Sequence, residues 1–303
     1  MPEARNIGCL GTSEVSAVKV QALLDRCLFP EADLRVQCAV SGGPDSMALL
    51  VLAVAAGLEV EAVHVDHGIR AGSAVEASLV AAVAERFGAT FVSKAVTVEP
   101  GGDLEARARR ARRSVLSPEA MTGHTADDQA ETVLINLLRG AGPHGLGAMR
   151  PGGTHPILRL RRSETHWLCS ELAIDVVDDP SNRDPRFVRN RIRGELLPLM
   201  GDIGERDVVP LLNRTGEQAR LLADWVDTLA IDIDPTDSSA LVDAASPVAA
   251  AAIRNWLRDE NGHPPSAAEV ERVMSVARLD VVGCELSGGR RVRRTGGVLR
   301  LED

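Results

Sequence analysis

The stretch that most constrains this chain is SGGPDS, residues 41–46, set between the apolar run LRVQCAV (34–40) and the helix-like SMALLVLAVAAG (46–57). A strand that turns through glycines into a helix leaves free N–H groups at the helix start. Glycine lets the backbone approach an anion there, and the helix dipole favours negative charge. In an open α/β sheet, ligands bind at this place, beyond the carboxyl ends of the strands. Ser41 and Ser46 add hydroxyl donors, and Gly42, Gly43 and Pro44 shape the turn. An aspartate beside a phosphate is repulsive unless a divalent cation lies between them, so Asp45 points to Mg2+. SGG recurs at 287–289 with strand-like residues on both sides, where it reads as a hairpin turn. The tripeptide is therefore uninformative alone, and its strand–loop–helix context makes the first copy specific. A Walker-A pattern is absent, because neither lysine follows a glycine. GAGPHG (140–145) matches G-x-G-x-x-G but follows a helix rather than a strand, which argues against a dinucleotide site.

Downstream, strand-like runs alternate with amphipathic ones. EVEAVHV (59–65) and ATFVSKAVTV (89–98) read as strands, and AVEASLVAAVAERFG (74–88) reads as a helix that ends at glycine. This alternation predicts a parallel sheet with right-handed crossovers. Helices follow at DLEARARRARRSVL, with Asp103 as N-cap, and at ADDQAETVLINLLRG, RSETHWLCSELA and GEQARLLADWVDTLA. The acidic, proline-containing DIDPTDSS (232–239) reads as a linker. Two more helices and the strand-like VVGCEL, RRVRR and VLRLE then predict a small α+β domain closing in a meander. The expected division is residues 1–204 for an α/β nucleotide domain and 205–303 for a helical connection and small domain.

Five scattered cysteines with no Cys-x-x-Cys argue against a disulfide framework and a zinc knuckle. No basic start precedes an apolar core, and no window nears the roughly 18 apolar residues of a membrane helix, so a cytoplasmic protein without membrane partners is expected. The formal net charge of −9 opposes nucleic-acid binding only if charge is spread evenly. It is not: 32 of the 34 basic residues are arginine, clustered at 105–113, 159–162, 183–193 and 289–294. Four such clusters on an acidic chain point to a local polyanion site.

In GHTADDQAET, His124, Asp128 and Glu131 are spaced to share one helical face, with Asp127 close to it. Val133, Leu134, Leu137 and Leu138 fall on a different side and can pack as core. Taken alone, the acids suit the first turn of any helix. Glu105, Arg109 and Arg112 share a face of the preceding helix, which alone reads as an exposed surface with i,i+4 pairs. In HVDHGIR, strand alternation sends His64 and Asp66 to one face and His67 to the other, which argues against zinc.

SGGPDS resembles the signature of the PP-loop ATP pyrophosphatases, whose fold is that of the adenine nucleotide α-hydrolases. HVDHGIR, LEARARRAR, GHTADDQAETVLINLLRGAG, HPILRLRR, DDPSNRDPRFVRNRIR and LLP follow in the order found in the tRNA(Ile)-lysidine synthetases of that group, across about residues 36 to 200. The tail ELSGGRRVRRTGGVLRL is similar to that family's substrate-binding region. The resemblance implies an enzyme that uses ATP and Mg2+ to adenylate C2 of the wobble cytidine of a CAU-anticodon isoleucine tRNA, and then joins L-lysine there. It implies ATP binding by Ser41, Gly42, Gly43, Pro44, Asp45, Ser46, His64 and Asp66, with Asp45 holding the metal. Chemistry falls to Asp45, Arg109, Asp127, Asp128 and Glu131, and lysine to Asp128, Glu131 and His124. Metal and lysine roles among the acids stay unapportioned. Arg112, Arg186, Arg189, Arg193, Arg290, Arg291, Arg293 and Arg294 are implied tRNA contacts. One departure stands out: the family places an aromatic where this chain has Arg113. A tRNA thiolase of the same group would need paired cysteines, and a non-catalytic nucleotide sensor would not need the downstream acidic and basic motifs. Monomer and homodimer both remain open.

Overall fold

The computed structural model describes residues 10, 14–66, 73–96, 104–178, 184–260 and 262–302. Two compact units meet between Gly216 and Glu217. In the first, α1 (Glu14–Leu24) precedes β1 (Arg35–Ala39), α2 (Pro44–Ala55), β2 (Glu59–Asp66), α3 (Ser73–Arg86), β3 (Thr90–Ala95), α4 (Leu104–Val115) and β4 (Met121–Thr122). The strands form one parallel sheet in the order β3-β2-β1-β4. The chain steps outward from β1 to β3 and then returns to set β4 on the other side of β1. That reversal opens a crevice beyond the carboxyl ends of β1 and β4, where ligands bind in such sheets.

Helix α2 is apolar around nearly its whole circumference, as a helix buried on all sides must be. Met47 through Ala53 are fully buried, in one core with Cys38, Ala62 and Val80. Pro44 at its first position is preorganised for a helix start, and Gly57 at φ +85° ends it. Past β4 lie α5 (Ala126–Leu138), one-turn α6 (Pro143–Leu146), α7 (Arg162–Glu171), one-turn α8 (Val188–Arg191), a π-helical turn (Ile192–Leu196) and α9 (Leu197–Gly204). Val133 and Leu134 of α5 are buried as their spacing predicts. Leu137 and Leu138 are exposed instead, because they occupy the last turn of the helix.

Helix α10 (Val209–Ala230) contains the division between the units. The second unit adds α11 (Ser238–Asp243), α12 (Ser246–Trp256), α13 (Ala267–Ala277) and the antiparallel meander β5 (Gly283–Glu285), β6 (Arg291–Thr295) and β7 (Val298–Glu302). The second SGG makes the turn between β5 and β6, with Gly288 and Gly289 at positive φ. Residues 232–239 are not a linker. Asp237 caps α11 by accepting from the Ser239 and Ala240 amides, Ser238 N donates to Gly297 O at 3.0 Å, and Leu299 N donates to Thr236 O at 2.7 Å. The aspartates that read as linker composition are turn and cap formers fastened to the last strand.

Two close contacts fix the parts. A Cβ on Gly123, just after β4, would lie 2.6 Å from Asp45 O and 2.8 Å from Ser46 N, so only glycine lets this segment abut the first turn of α2. In the second unit, Glu269 accepts from the amide and hydroxyl of both Ser266 and Ser287, which ties the start of α13 to the β5–β6 turn. These bonds, the Ser266 hydroxyl foremost, hold its carboxyl down to about 2.

Gly123→Ala is expected to destabilise the first unit by about 1–3 kcal/mol through overpacking against backbone that cannot yield, read as a lowered Tm. Glu269 contributes fully above the ordinary glutamate range, and that contribution fades as pH falls from about 4.5 through about 2. Glu269→Gln should therefore lower Tm at pH 6 and flatten its fall between pH 5 and 3; a wild-type slope in the variant would assign the acid sensitivity elsewhere.

Candidate active site

The 41–46 loop is built as a cradle. Gly42 sits at φ +89°, and a Cβ there would meet Val177 Cγ2 at 2.8 Å. Its carbonyl accepts from Val177 N at 2.9 Å. Ser46 Oγ donates to Gly43 O at 2.9 Å and accepts from Ser41 N at 3.1 Å, closing the loop on itself. The amides of Gly42, Gly43 and Asp45 have no acceptor among the described residues and are left for a ligand. Asp45 Oδ1 accepts from Thr165 Oγ1 of α7, and Oδ2 lies 3.6 Å from Arg162 Nε. Burial pushes the Asp45 carboxyl above its usual range, against the opposing pull of Thr165 and Arg162. A hard-oxygen carboxylate short of compensating charge, next to free amides, suits a cation shared with phosphate. Among the described residues no group of three or more His, Cys, Asp or Glu could hold a metal unaided.

Gly123 brings α5 to this cradle, and α5 carries the acids. Thr125 is its N-cap, and Asp128 closes a capping box by accepting from Thr125 N and Oγ1, both at 2.9 Å. The helix therefore begins at Ala126, and His124 is not on its face. Instead, His124 Nδ1 is 2.7 Å from Thr122 Oγ1, which also contacts His155 Nδ1 at 2.9 Å, and the two rings meet edge to face. His124 still contributes to holding the Asp128 carboxyl low, behind Arg162 and the Thr125 amide.

Every acid on α5 faces arginine. Asp127 receives a two-pronged contact from Arg161, at 3.1 Å to each oxygen, and the Arg162 amide at 2.8 Å. Asp128 Oδ1 accepts from Arg162 Nη2 at 2.9 Å and Arg193 Nη2 at 3.5 Å. Glu131 is fully buried. It takes Arg193 through both oxygens, at 2.7 and 3.0 Å, and both terminal nitrogens of Arg162 at 3.1 Å. Burial penalises the charge of Asp127 and Asp128, but their arginines and amide donors outweigh it and hold both carboxyls below the usual range. Burial acts against the Arg162 charge too, yet Asp128, Glu131 and Asp45 hold its proton more tightly than usual.

Arg161 and Arg162 are site residues that pattern reading of the acids missed. Their signal was present in RLRR (159–162), the second basic cluster. The RFVRNRIR group divides. Arg186 is exposed and forks onto Asp184, whereas Arg189 lies 3.9 Å from Glu131 and Arg193 is bound to it. Asn190 Nδ2 donates to Asp184 O at 2.9 Å.

His64, buried on β2, has Nδ1 3.0 Å from Val40 O. A carbonyl only accepts, so Nδ1 carries the proton, and the buried Nε2 has no partner among the described residues. Asp66 ends the same strand, beyond which residues 67–72 lie outside the described residues. Arg109 and Arg112 belong to α4, and their side chains lie outside what is described. In the second unit Arg291 and Arg293 lie exposed on one face of the meander, with Arg300 directly opposite Arg293. No carboxylate pairs with these three among the described residues, although like charges directly opposed across strands repel. Arg294 alternates to the other face, and Arg290 donates to Leu257 O and Arg258 O at the end of α12. Cys38 and Cys169 are pushed up to about 12 by burial, so neither is a thiolate at neutral pH.

The PP-loop domain family matches residues 14–200. The tRNA(Ile)-lysidine synthase of Nocardia farcinica is 37% identical over 262 residues, which cover 81% of this chain and 82% of the relative. That of Mycolicibacterium paratuberculosis is 41% identical over 235 residues, 72% and 73% of the two chains. Among solved structures, a U34-tRNA thiolase from Methanococcus maripaludis superposes with a TM-score of 0.53 at 16% identity, covering 66% of this chain and 77% of its own, a likeness of fold. By its loop, the order of its motifs and these relatives, the chain belongs to the tRNA(Ile)-lysidine synthase family of PP-loop proteins.

Proposed function

We propose that this protein joins L-lysine to C2 of the wobble cytidine of an isoleucine tRNA with a CAU anticodon, at the expense of ATP. The C2 oxygen attacks the α-phosphorus of ATP, and pyrophosphate leaves. The lysine ε-amine then attacks C2, the C2–O bond breaks, and AMP departs with that oxygen while the amine loses its proton. One observation carries the reading: Gly123 sets the phosphate cradle directly against the acid–arginine cluster of α5, in a chain of this family.

In this reading the amides of Gly42, Gly43 and Asp45 and the hydroxyls of Ser41 and Ser46 receive the triphosphate. Asp45 would hold Mg2+, which would supply neutralisation of the phosphate charge. His64 and Asp66 border the nucleotide. Asp128 and Glu131, with His124 beside them, hold the lysine amines. Asp127 anchors Arg161 at the edge of that pocket, and Arg109 acts on the phosphates. ATP, tRNA and free lysine place the reaction in the cytoplasm.

RNA contact falls to Arg112 and Arg186 and, in the second unit, to the Arg291–Arg293–Arg300 face, whose charges pair with no carboxylate among the described residues. Phosphates would relieve the Arg293–Arg300 repulsion. Arg290 and Arg294 support this face rather than extend it, and Arg189 and Arg193 serve the RNA by holding Glu131.

The deciding assay combines purified protein, ATP, Mg2+, labelled lysine and a CAU-anticodon tRNA(Ile) transcript. Label should enter the RNA with matching release of AMP and pyrophosphate. Unlabelled RNA under conditions where ATP binds would overturn the reading. Replacing Arg291, Arg293 and Arg300 together by alanine should weaken tRNA binding and reduce the slope of log K against log salt by about 2, following ion release from the phosphates. An unchanged slope would remove this face from the interface.

A further inference from the structure

The acid pocket that is to receive an amine is already occupied by arginine. Each oxygen of Asp128 and Glu131 accepts from at least one donor: Thr125 on Asp128 Oδ2, Arg162 and Arg193 on Asp128 Oδ1, the same two arginines on Glu131 Oε1, and Arg193 on Glu131 Oε2. An ammonium group entering this arrangement would find its acceptors occupied and two guanidinium groups at contact distance. Arginine does not lose its proton in a protein, so it can make way only by moving.

The arginines differ in what else they can reach. Arg161 is held by the Asp127 fork and by Asp207. Among the described residues, Arg193 contacts the α5 carboxylates. Of these three, Arg162 touches the cradle as well: its Nη atoms sit 2.9–3.1 Å from Asp128 and Glu131, while its Nε lies 3.6 Å from Asp45, in the first turn of α2. A guanidinium binds the paired oxygens of a phosphate as well as those of a carboxylate.

We infer that Arg162 is a positioning residue that couples the two substrates: without nucleotide it fills the amine pocket, and phosphate bound in the 41–46 cradle draws it away, freeing Asp128 and Glu131 for the amine. This rests on lysine being the amine, as proposed above. The consequence is an order of events. Lysine finds its acceptors free only once ATP or the adenylated base is in place, which keeps the amine out before there is an activated C2 to attack. Coupling of this kind is reciprocal, so lysine tightens nucleotide binding by the factor by which nucleotide tightens lysine binding.

Equilibrium dialysis with labelled lysine tests this, with and without α,β-methylene-ATP and Mg2+. In the wild type the analogue should lower the lysine Kd about tenfold or more, and lysine should lower the Kd of the analogue by the same factor. Arg162→Met should bind lysine without nucleotide, keep less than a twofold dependence on the analogue, and gain Tm from lysine alone, which the wild type should not. Arg162→Lys, which keeps the charge and most of the reach, should retain part of the coupling; it also serves if the methionine variant does not fold. Equal lysine affinity with and without the analogue in the wild type, or undiminished coupling in either variant, overturns the inference. A wild type that lysylates tRNA but shows no coupling loses only this inference, whereas one that never incorporates lysine loses the functional reading with it.

Discussion

The first unit is organised around a carboxylate with no access to water. Glu131 is fully buried, and a lone charge in that position would cost several kcal/mol. Its charge is met by Arg193, which forks onto it from the π-helical turn, and by Arg162, which reaches it from the start of α7. Three segments far apart in sequence are thereby required to meet at α5. Removing either arginine would leave buried negative charge, a loss of about 3–5 kcal/mol in comparable pairs. The arrangement fixes position more than it adds stability, since apolar residues of similar volume could fill the space. What it secures is the placement of the α5 carboxylates beside the phosphate cradle, with Arg193 and Arg162 as their partners before any substrate arrives.

The glycine at 123 plays the complementary part. Charges orient the side chains, but the absence of a Cβ lets the backbone of one motif lie against the backbone of the other. GHT and SGGPDS are therefore two parts of a single structure at the point where the strand order reverses. Neither motif could be displaced without the other.

This explains which features were legible from sequence. Strand and helix periodicity, and glycine at the ends of helices, gave away the parallel sheet and the apolar α2, because local chemistry and tertiary burial agree there. Spacing placed His124 on a helix, but the Thr125–Asp128 capping box, a local competition for the same backbone amides, starts the helix two residues later. Arginine clusters were visible as clusters, yet composition cannot say which guanidinium groups are already engaged. Arg161, Arg162 and Arg193 are engaged on α5 and Arg290 at the end of α12, whereas Arg291, Arg293 and Arg300 have no carboxylate among the described residues. Arg300, in a sparse stretch of sequence, joins them only through strand register.

Among the acids of the site, Asp45 stands apart. Asp127 and Asp128 are held below the ordinary carboxylate range by close arginine and amide donors, and they are settled without a ligand. Asp45 has one hydroxyl donor and an arginine at 3.6 Å, and burial pushes its carboxyl upward. Its ionised form is the least compensated of the three, and it occupies the turn whose amides are free. A site whose remaining charges are paired can take up a new cation most favourably at the carboxylate still lacking one. That carboxylate lies where the phosphates arrive, so the cation needed to offset Asp45 also offsets the charge that develops on the phosphate. Residual imbalance in the protein and the demand of the reaction fall on the same atoms.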